Sequence, residues 1–322
     1  MNLDARPALF DTLAVVLERP EQMTLSRLPL CEPTDDDVIV EMDWTGISTG
    51  TERLLWSGRM PPFPGLGYPL IPGYESVGRV THAGARARLK IGERVFVPGA
   101  RCFGEVRGLF GGAASKVVVP ATRVTPVDER LGEQAVLLAL AATAYHALAA
   151  DEAREPGLIV GHGVLGRLLA RLATLTADQP PTVWECNPHR MGGASGYQVL
   201  HPDADPRRDY AAIYDVSGDA TLLDKLIGRL APCGEIVLAG FYSEPLSFTF
   251  PPAFMREARI RVAAEWRQTD LIAAKELVES GSLSLDGLIT HRHVANDAPA
   301  AYRTAFTDSS CLKMILDWRT HA

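Results

Sequence analysis

Gly161-His162-Gly163-Val164-Leu165-Gly166 sets three glycines at GxGxxG spacing, directly after the apolar run Leu158-Ile159-Val160. Leu168, Leu169, Leu172 and Leu175 then recur at helical intervals, and Val183-Trp184-Glu185 ends a second apolar run in an acid. Strand, glycine turn, helix and acid-tipped strand together predict a dinucleotide site. Gly161 allows a tight turn, Gly163 lets the backbone approach a pyrophosphate, and Gly166 lets helix and strand pack closely. Val164 and Leu165 open the helix, whose free N–H groups and dipole favour phosphate. Glu185 can accept both hydroxyls of an adenosine ribose and would repel a 2′-phosphate, which points to NAD rather than NADP. Asn187 and Arg190 follow it, and Asp215, Ser217, Gly240 and Phe241 stand at the ends of later apolar runs; all six are expected at the cofactor. His162 is read as filling space in the turn.

The elements that must carry this site alternate. Ala135–Asp151 reads as a buried helix, Arg190–Gly196 as a short helix, and Tyr197–Leu200 and Ala211–Val216 as strands. Leu222–Leu230 is amphipathic, Glu235–Gly240 and Arg259–Glu265 are strands, and Thr269–Ser280 is a helix. Strands alternating with helices predict a doubly wound parallel sheet. Ahead of it, Thr12–Leu17, Asp37–Met42, Ser76–Thr81, Arg94–Val97 and Ser115–Val119 are β-branched runs between Gly, Pro and Asp turns, the pattern of a β-rich domain. A helix at Ala298–Phe306 and a strand at Leu312–Trp318 suggest that the chain returns to that first domain. The expected division is residues 1–135 with 289–322, and 136–288.

The whole-chain character agrees. The 322 residues are 47% hydrophobic and 22% charged, enough for a sizeable core. A net charge of -7 argues against a nucleic-acid partner. The five cysteines are odd in number and lack CxxC spacing, which fits a reducing cytoplasm and offers no metal cage. The N-terminal MNLDARPALFDT is too polar for a signal peptide, and Ala135–Ala150 is too short and interrupted for a membrane span.

Several segments carry a family resemblance: Thr45-Gly46-Ile47, Pro69–Glu75, Gly92–Val97, Thr143–Leu148, the glycine turn and Cys233–Gly240. Together they resemble the medium-chain dehydrogenase/reductase superfamily, which implies a GroES-like β-rich catalytic domain plus a Rossmann domain, an α/β fold. Where zinc-dependent members carry a Cys and a His-Glu pair, this chain has Ser48 and Tyr74-Glu75, and the third-ligand position near Ala139 offers a methyl group. A hydroxyl, a phenol and a methyl do not make an N/S zinc site, so no metal is expected. A narrower set, Gly46–Glu52, Leu55–Gly65, Arg107–Gly111, Asp286–Arg292 and Cys311–Trp318, is similar to the bacteriochlorophyllide a dehydrogenases of photosynthetic bacteria. That similarity implies NAD-dependent oxidation of a bacteriochlorophyllide 3-(1-hydroxyethyl) group to 3-acetyl, with a tetrapyrrole as substrate.

Without a metal, protein hydroxyls must handle the alcohol proton. Tyr74 is the expected acid/base or oxygen-orienting group, its pKa lowered by the nicotinamide charge, with Ser48 or Thr51 completing a relay. Glu75 is the fourth candidate, alternatively a brace for the backbone or an arginine; Glu52 reads as a solvated acid or a partner of Arg53. The proline-rich stretch Met60–Pro69 is stiff enough to wall a tetrapyrrole slot, to which Trp56, Phe63, Phe103, Phe110, Tyr242, Phe250 and Phe254 could add rings, and Arg59, Arg101 or Arg107 could meet a propionate. The resemblance also implies a homodimer through an edge strand, Glu235–Tyr242 or Arg259–Glu265, and an apolar product would make transient membrane contact useful to a cytoplasmic enzyme. Two other functions fit the scaffold: a zinc-free NAD(P)H quinone or enoyl reductase, and a catalytically idle protein that binds NAD and pigment.

Overall fold

A computed structural model describes residues 11–151 and 153–321. Most of the N-terminal segment weighed above as a signal lies outside them. The chain forms two compact units, Met1–Leu137 with Ile289–Ala322, and Leu138–Leu288.

In chain order, unit 1 opens with β1 (Asp11–Arg19), β2 (Gln22–Pro29), β3 (Asp37–Ile47), α1 (Thr51–Trp56), β4 (Leu70–Ile71), β5 (Ser76–Ala83), β6 (Arg94–Val97), β7 (Arg107–Gly108), β8 (Lys116–Pro120) and β9 (Thr125–Pro126). Unit 2 follows with α2 (Leu138–Leu148), β10 (Leu158–Val160), α3 (Val164–Thr176), β11 (Thr182–Trp184), β12 (Gln198–Leu200), β13 (Tyr210–Asp215), α4 (Leu223–Ile227), β14 (Leu230–Leu238), α5 (Phe250–Met255), β15 (Arg259–Val262) and α6 (Gln268–Glu279). The chain then returns to unit 1 as β16 (His291–Val294), α7 (Ala298–Thr307) and β17 (Met314–Asp317).

Unit 2 is a six-stranded parallel sheet in the order β12-β11-β10-β13-β14-β15. The order reverses beside β10, so the crevice at the carboxyl ends of β10 and β13 is the topological switch point where such sheets bind ligands. The short runs Leu158-Ile159-Val160 and Ile236-Val237-Leu238 are buried throughout, as strands covered on both faces must be. One expectation fails here. Arg190–Gly196 is not a helix; only a single 3-10 turn forms, at Pro188–Arg190. Gly193 and Gly196 both take φ of 80°, which helical backbone excludes, and a Cβ on Gly193 would lie 2.3 Å from the Arg167 guanidinium.

Unit 1 holds two sheets, β2-β1-β4-β7 and a seven-stranded one in which β3 is central, pairing β5, β8 and the returning β17. β3 is a long strand because nearly every residue of Asp37–Ile47 is buried or partly so. The register Met314↔Ile47 brings the start of β17 against the end of β3. There Lys313, 1% exposed, places Nζ 2.8 and 2.6 Å from the two carboxylate oxygens of Glu75, itself 0% exposed, and 3.2 Å from the Ile47 carbonyl. A cation fits in this apolar strand because three oxygens replace its water.

Removing one partner leaves the other charge buried alone. Lys313→Met is therefore expected to destabilise the protein by about 3–5 kcal/mol in urea denaturation, and Lys313→Met/Glu75→Leu to recover most of that loss. Equal stability of the single and double variants would contradict this.

Candidate active site and its relatives

At the end of β10, Gly161 takes φ of 104°, a conformation that glycine adopts without steric cost. A Cβ on Gly166 would sit 1.8 Å from the Gly161 carbonyl oxygen, so the first turn of α3 lies directly on the glycine turn. A Cβ on Gly163 would meet nothing within 4 Å. That open face, with Gly163 as an N-cap that makes no side-chain bond to α3, is the room and the polarity a phosphate requires. Val164 is buried and Leu165 half-buried in the opening turn of that helix.

Glu185 reaches back from the end of β11. Its Oε2 accepts from the His162 N–H at 3.0 Å, and its Oε1 from the Cys186 and Asn187 N–H groups at 2.8 Å each. Asn187 caps the following 3-10 turn by accepting from the His189 N–H. Arg190 supplies a carbonyl that receives both His162 Nδ1, at 2.6 Å, and Arg167 Nη2, at 3.1 Å. Asp215, at the end of β13, is 2% exposed and accepts from the Ser217 N–H, while its carbonyl accepts from Ala239, Gly240 and the Tyr242 hydroxyl. Burial pushes its carboxyl pKa upward. A Cβ on Gly161 would touch Ser217 and one on Gly240 would touch Val216 and Gly218, so these three strand ends converge; Phe241 beside them is 40% exposed.

His162 does more than fill space. It is fully buried, its Nδ1–H donates to the Arg190 carbonyl, and its Nε2 accepts from the Tyr197 hydroxyl at 2.9 Å. Arg167, missed in the sequence, adds bonds to the carbonyls of His162 and Gly192. An arginine on the leucine-bearing face of the helix was the available signal.

In unit 1, Ser48 follows β3, Thr51 opens α1, and Tyr74-Glu75 precede β5. Tyr74 donates its hydroxyl hydrogen to Ser48 Oγ at 2.8 Å, with the Thr51 side chain beside it. In the protein's own surroundings burial, and then the neighbouring Glu75, push the Tyr74 pKa up, so Tyr74 is a neutral donor here. Both Glu75 oxygens are taken by Lys313, so Glu75 braces a lysine where an arginine or the backbone was expected. Glu52 is neither solvated nor paired with Arg53. It is 1% exposed, accepting from the Ser48 N–H at 3.1 Å and from the Tyr302 hydroxyl at 2.7 Å. Burial raises its pKa to about 7. Among the described residues no three His, Cys, Asp or Glu side chains converge on a point where they could hold a metal ion.

Aromatic rings continue from this cluster. Tyr74 meets Phe110 edge-on at 5.2 Å, and Phe110 meets Phe63 at 6.3 Å; all three are half-buried. Phe103, by contrast, is core, and Trp56 packs on Phe306. The Arg107 guanidinium lies against Gly67.

Residues 34–129 match the alcohol dehydrogenase GroES-like domain family. The 2-desacetyl-2-hydroxyethyl bacteriochlorophyllide A dehydrogenase of Rhodobacter capsulatus is 56% identical over 310 residues, covering 96% of this chain and 99% of that protein. The chain belongs to the bacteriochlorophyllide A dehydrogenase family. A family member of the same name from Cereibacter sphaeroides is 54% identical across 97% of this chain and 99% of its own. The fold is that of the medium-chain dehydrogenase/reductase superfamily, a GroES-like domain and a Rossmann-like parallel sheet. Acetophenone reductase of Geotrichum candidum, solved with NAD, superposes at TM-score 0.81 with 18% identity, over 95% of this chain and 97% of that one. A dehydrogenase of Sinorhizobium meliloti bound to NADP gives 0.80 with 20% identity, over 96% and 99%.

His162 has its pKa pushed from 6.5 to about 4, first by burial and also by the Arg167 cation. A histidine depressed on folding contributes stability that is complete above its ordinary value and is lost as pH falls toward the folded one. Stability is thus expected to fall between pH 6.5 and about 4. Denaturant titrations of the wild type and His162→Gln across that window test it, since the variant should show a smaller loss.

Proposed function

We propose that the protein oxidises the 1-hydroxyethyl side chain of a bacteriochlorophyllide to an acetyl group, with NAD as hydride acceptor. The observation that carries this reading is the Tyr74–Ser48 hydroxyl pair, with Thr51 beside it, at the end of the Phe63–Phe110–Tyr74 aromatic row. The near-complete 56% identity to a protein named for that substrate supports it. An aromatic row suits a flat conjugated macrocycle, and hydroxyls suit an alcohol.

A nicotinamide bound at the glycine turn would supply the acceptor for the carbinol hydride. The chain must take the remaining proton. Ser48 Oγ accepts it from the substrate hydroxyl, passes its own to Tyr74 Oη, and Tyr74 passes its own to Thr51, which is partly open to solvent. Hydroxyls rotate to suit either direction, so each ends neutral while one proton leaves. The raised pKa of Tyr74 suits such a hop and disfavours a standing phenolate. Positive character at a carbon joined to the macrocycle is delocalised, which lowers the demand for a Lewis acid.

Glu185 supports NAD over NADP: a carboxylate held by three backbone N–H groups does not readily swing away from a 2′-phosphate. The test mixes the protein with hydroxyethyl bacteriochlorophyllide and either cofactor and follows the long-wavelength pigment band. Conversion with NAD at least tenfold more efficient than with NADP is expected, and Tyr74→Phe should cut kcat by about 10²-fold or more. Tight pigment binding without conversion would make the protein a carrier, and an NADPH preference would favour a quinone or enoyl reductase.

A homodimer is part of the proposal. β14 is interior, which removes Glu235–Tyr242 as the pairing strand and leaves β15 as the sheet edge. Ile260 and Val262 on β15 are 41% and 71% exposed, and Phe250, Phe254 and Met255 on α5 are 65%, 65% and 76% exposed. An apolar open edge is a template for a second copy. Sedimentation should give a dimer, and Val262→Lys with Phe254→Glu should give a monomer. Among the described residues no helix is long and apolar enough to cross a membrane.

A further inference from the structure

Glu52 has no place in the proton relay as drawn, yet a carboxylate 1% exposed is costly to keep. Its two oxygens are fully engaged by groups from different elements. Oε1 receives the Ser48 N–H, and Oε2 receives the Tyr302 hydroxyl from α7, 250 positions along the chain. The Glu52 N–H in turn donates to the Ser48 carbonyl at 3.1 Å. The loop carrying Ser48 is therefore clasped on both backbone sides by one residue.

We propose that Glu52, held by Tyr302, is a positioning residue whose charge state decides which way the Ser48–Tyr74 hydroxyls face, proton-accepting when Glu52 is ionised and proton-donating when it is neutral. This rests on the oxidation proposed above. An ionised Glu52 accepts from both Ser48 N–H and Tyr302, and its negative field raises the proton affinity of the adjoining hydroxyls; Tyr74 feels it. A neutral Glu52 keeps one oxygen as a donor, so Tyr302 must turn its hydroxyl to accept, and the field disappears. The charged or titratable groups around it are Tyr302 on α7, Tyr74 and Glu75 ahead of β5, and Lys313 ahead of β17. Glu75 and Lys313 oppose one another in their effect on Glu52 and are bonded together, so neither can take over its titration. The shift of Glu52 to about 7 puts its charge change within the physiological range.

The test has two independent readouts. Infrared difference spectra of the free protein across the neutral range should show a protonated-carboxyl band that titrates near 7, is missing in Glu52→Gln, and moves alkaline by about one pH unit in Tyr302→Phe, which loses a hydrogen bond to the anion. The pH profile of kcat/KM for hydroxyethyl oxidation should carry the same inflection in the wild type, lose it in Glu52→Gln, and shift with the band in Tyr302→Phe. Glu52→Asp should restore an inflection. A wild-type inflection that survives in Glu52→Gln, or a Tyr302→Phe profile and band that do not move, overturns the proposal. Absence of wild-type turnover with this pigment would instead overturn the substrate assignment, while the infrared titration would still decide the behaviour of Glu52.

Discussion

Two carboxylates buried a short way apart set the terms for unit 1. Glu75 and Glu52 would repel each other if both were bare, and Glu75 adds to the cost of ionising Glu52. The chain solves the two differently. Glu75 receives a full cation, Lys313, through a strand that comes from the far end of the sequence, and so stays committed to holding β17 against β3. Glu52 receives only dipoles, an N–H and a phenol, and so is left near the balance point between its two protonation states. The first arrangement gives rigidity and the second gives a group that can respond. Ser48 and Tyr74 stand between them.

Unit 2 meets a different constraint. Its glycine turn must remain open for phosphate, so the segment after β11 cannot simply pack into it. Backbone carbonyls of that irregular stretch are instead gathered by side chains from the turn and from α3. His162 and Arg167 share the Arg190 carbonyl, and Arg167 continues to Gly192. Buried carbonyls outside regular structure need such donors, and an arginine with five N–H groups meets several at once.

Local periodicity made much of the architecture legible. The runs at Asp37–Met42, Ser76–Thr81 and Arg94–Val97 lie within strands, and the alternation from Leu158 onward is a parallel sheet. The return of the last segment was expected from its composition, which resembles that of the first domain. The long-range partners could not. Lys313 and Glu75 are 238 positions apart, and nothing in either neighbourhood names the other. A lysine inside Cys311-Leu312-Lys313-Met314-Ile315 does announce that some buried acid must exist, a signal that was there to be used. The helix expected at Arg190–Gly196 failed because composition was weighed over two glycines whose positive φ the tertiary packing demands. The direction in which the protein itself moves the Tyr74 pKa was not legible, because burial, which sequence does not display, outweighs hydrogen bonding.

The grip of Glu185 on the His162 N–H has a consequence for how this protein can change. In many dinucleotide-binding folds the acid at the end of the second strand is treated as a detachable selector, exchanged to alter cofactor choice. Here the same carboxylate ties the glycine turn to the start of the next segment through three amides. On the proposed NAD preference, selectivity and turn geometry are then one heritable trait rather than two, and a change toward the phosphorylated cofactor by exchange of Glu185 would also remove the turn's three amide anchors.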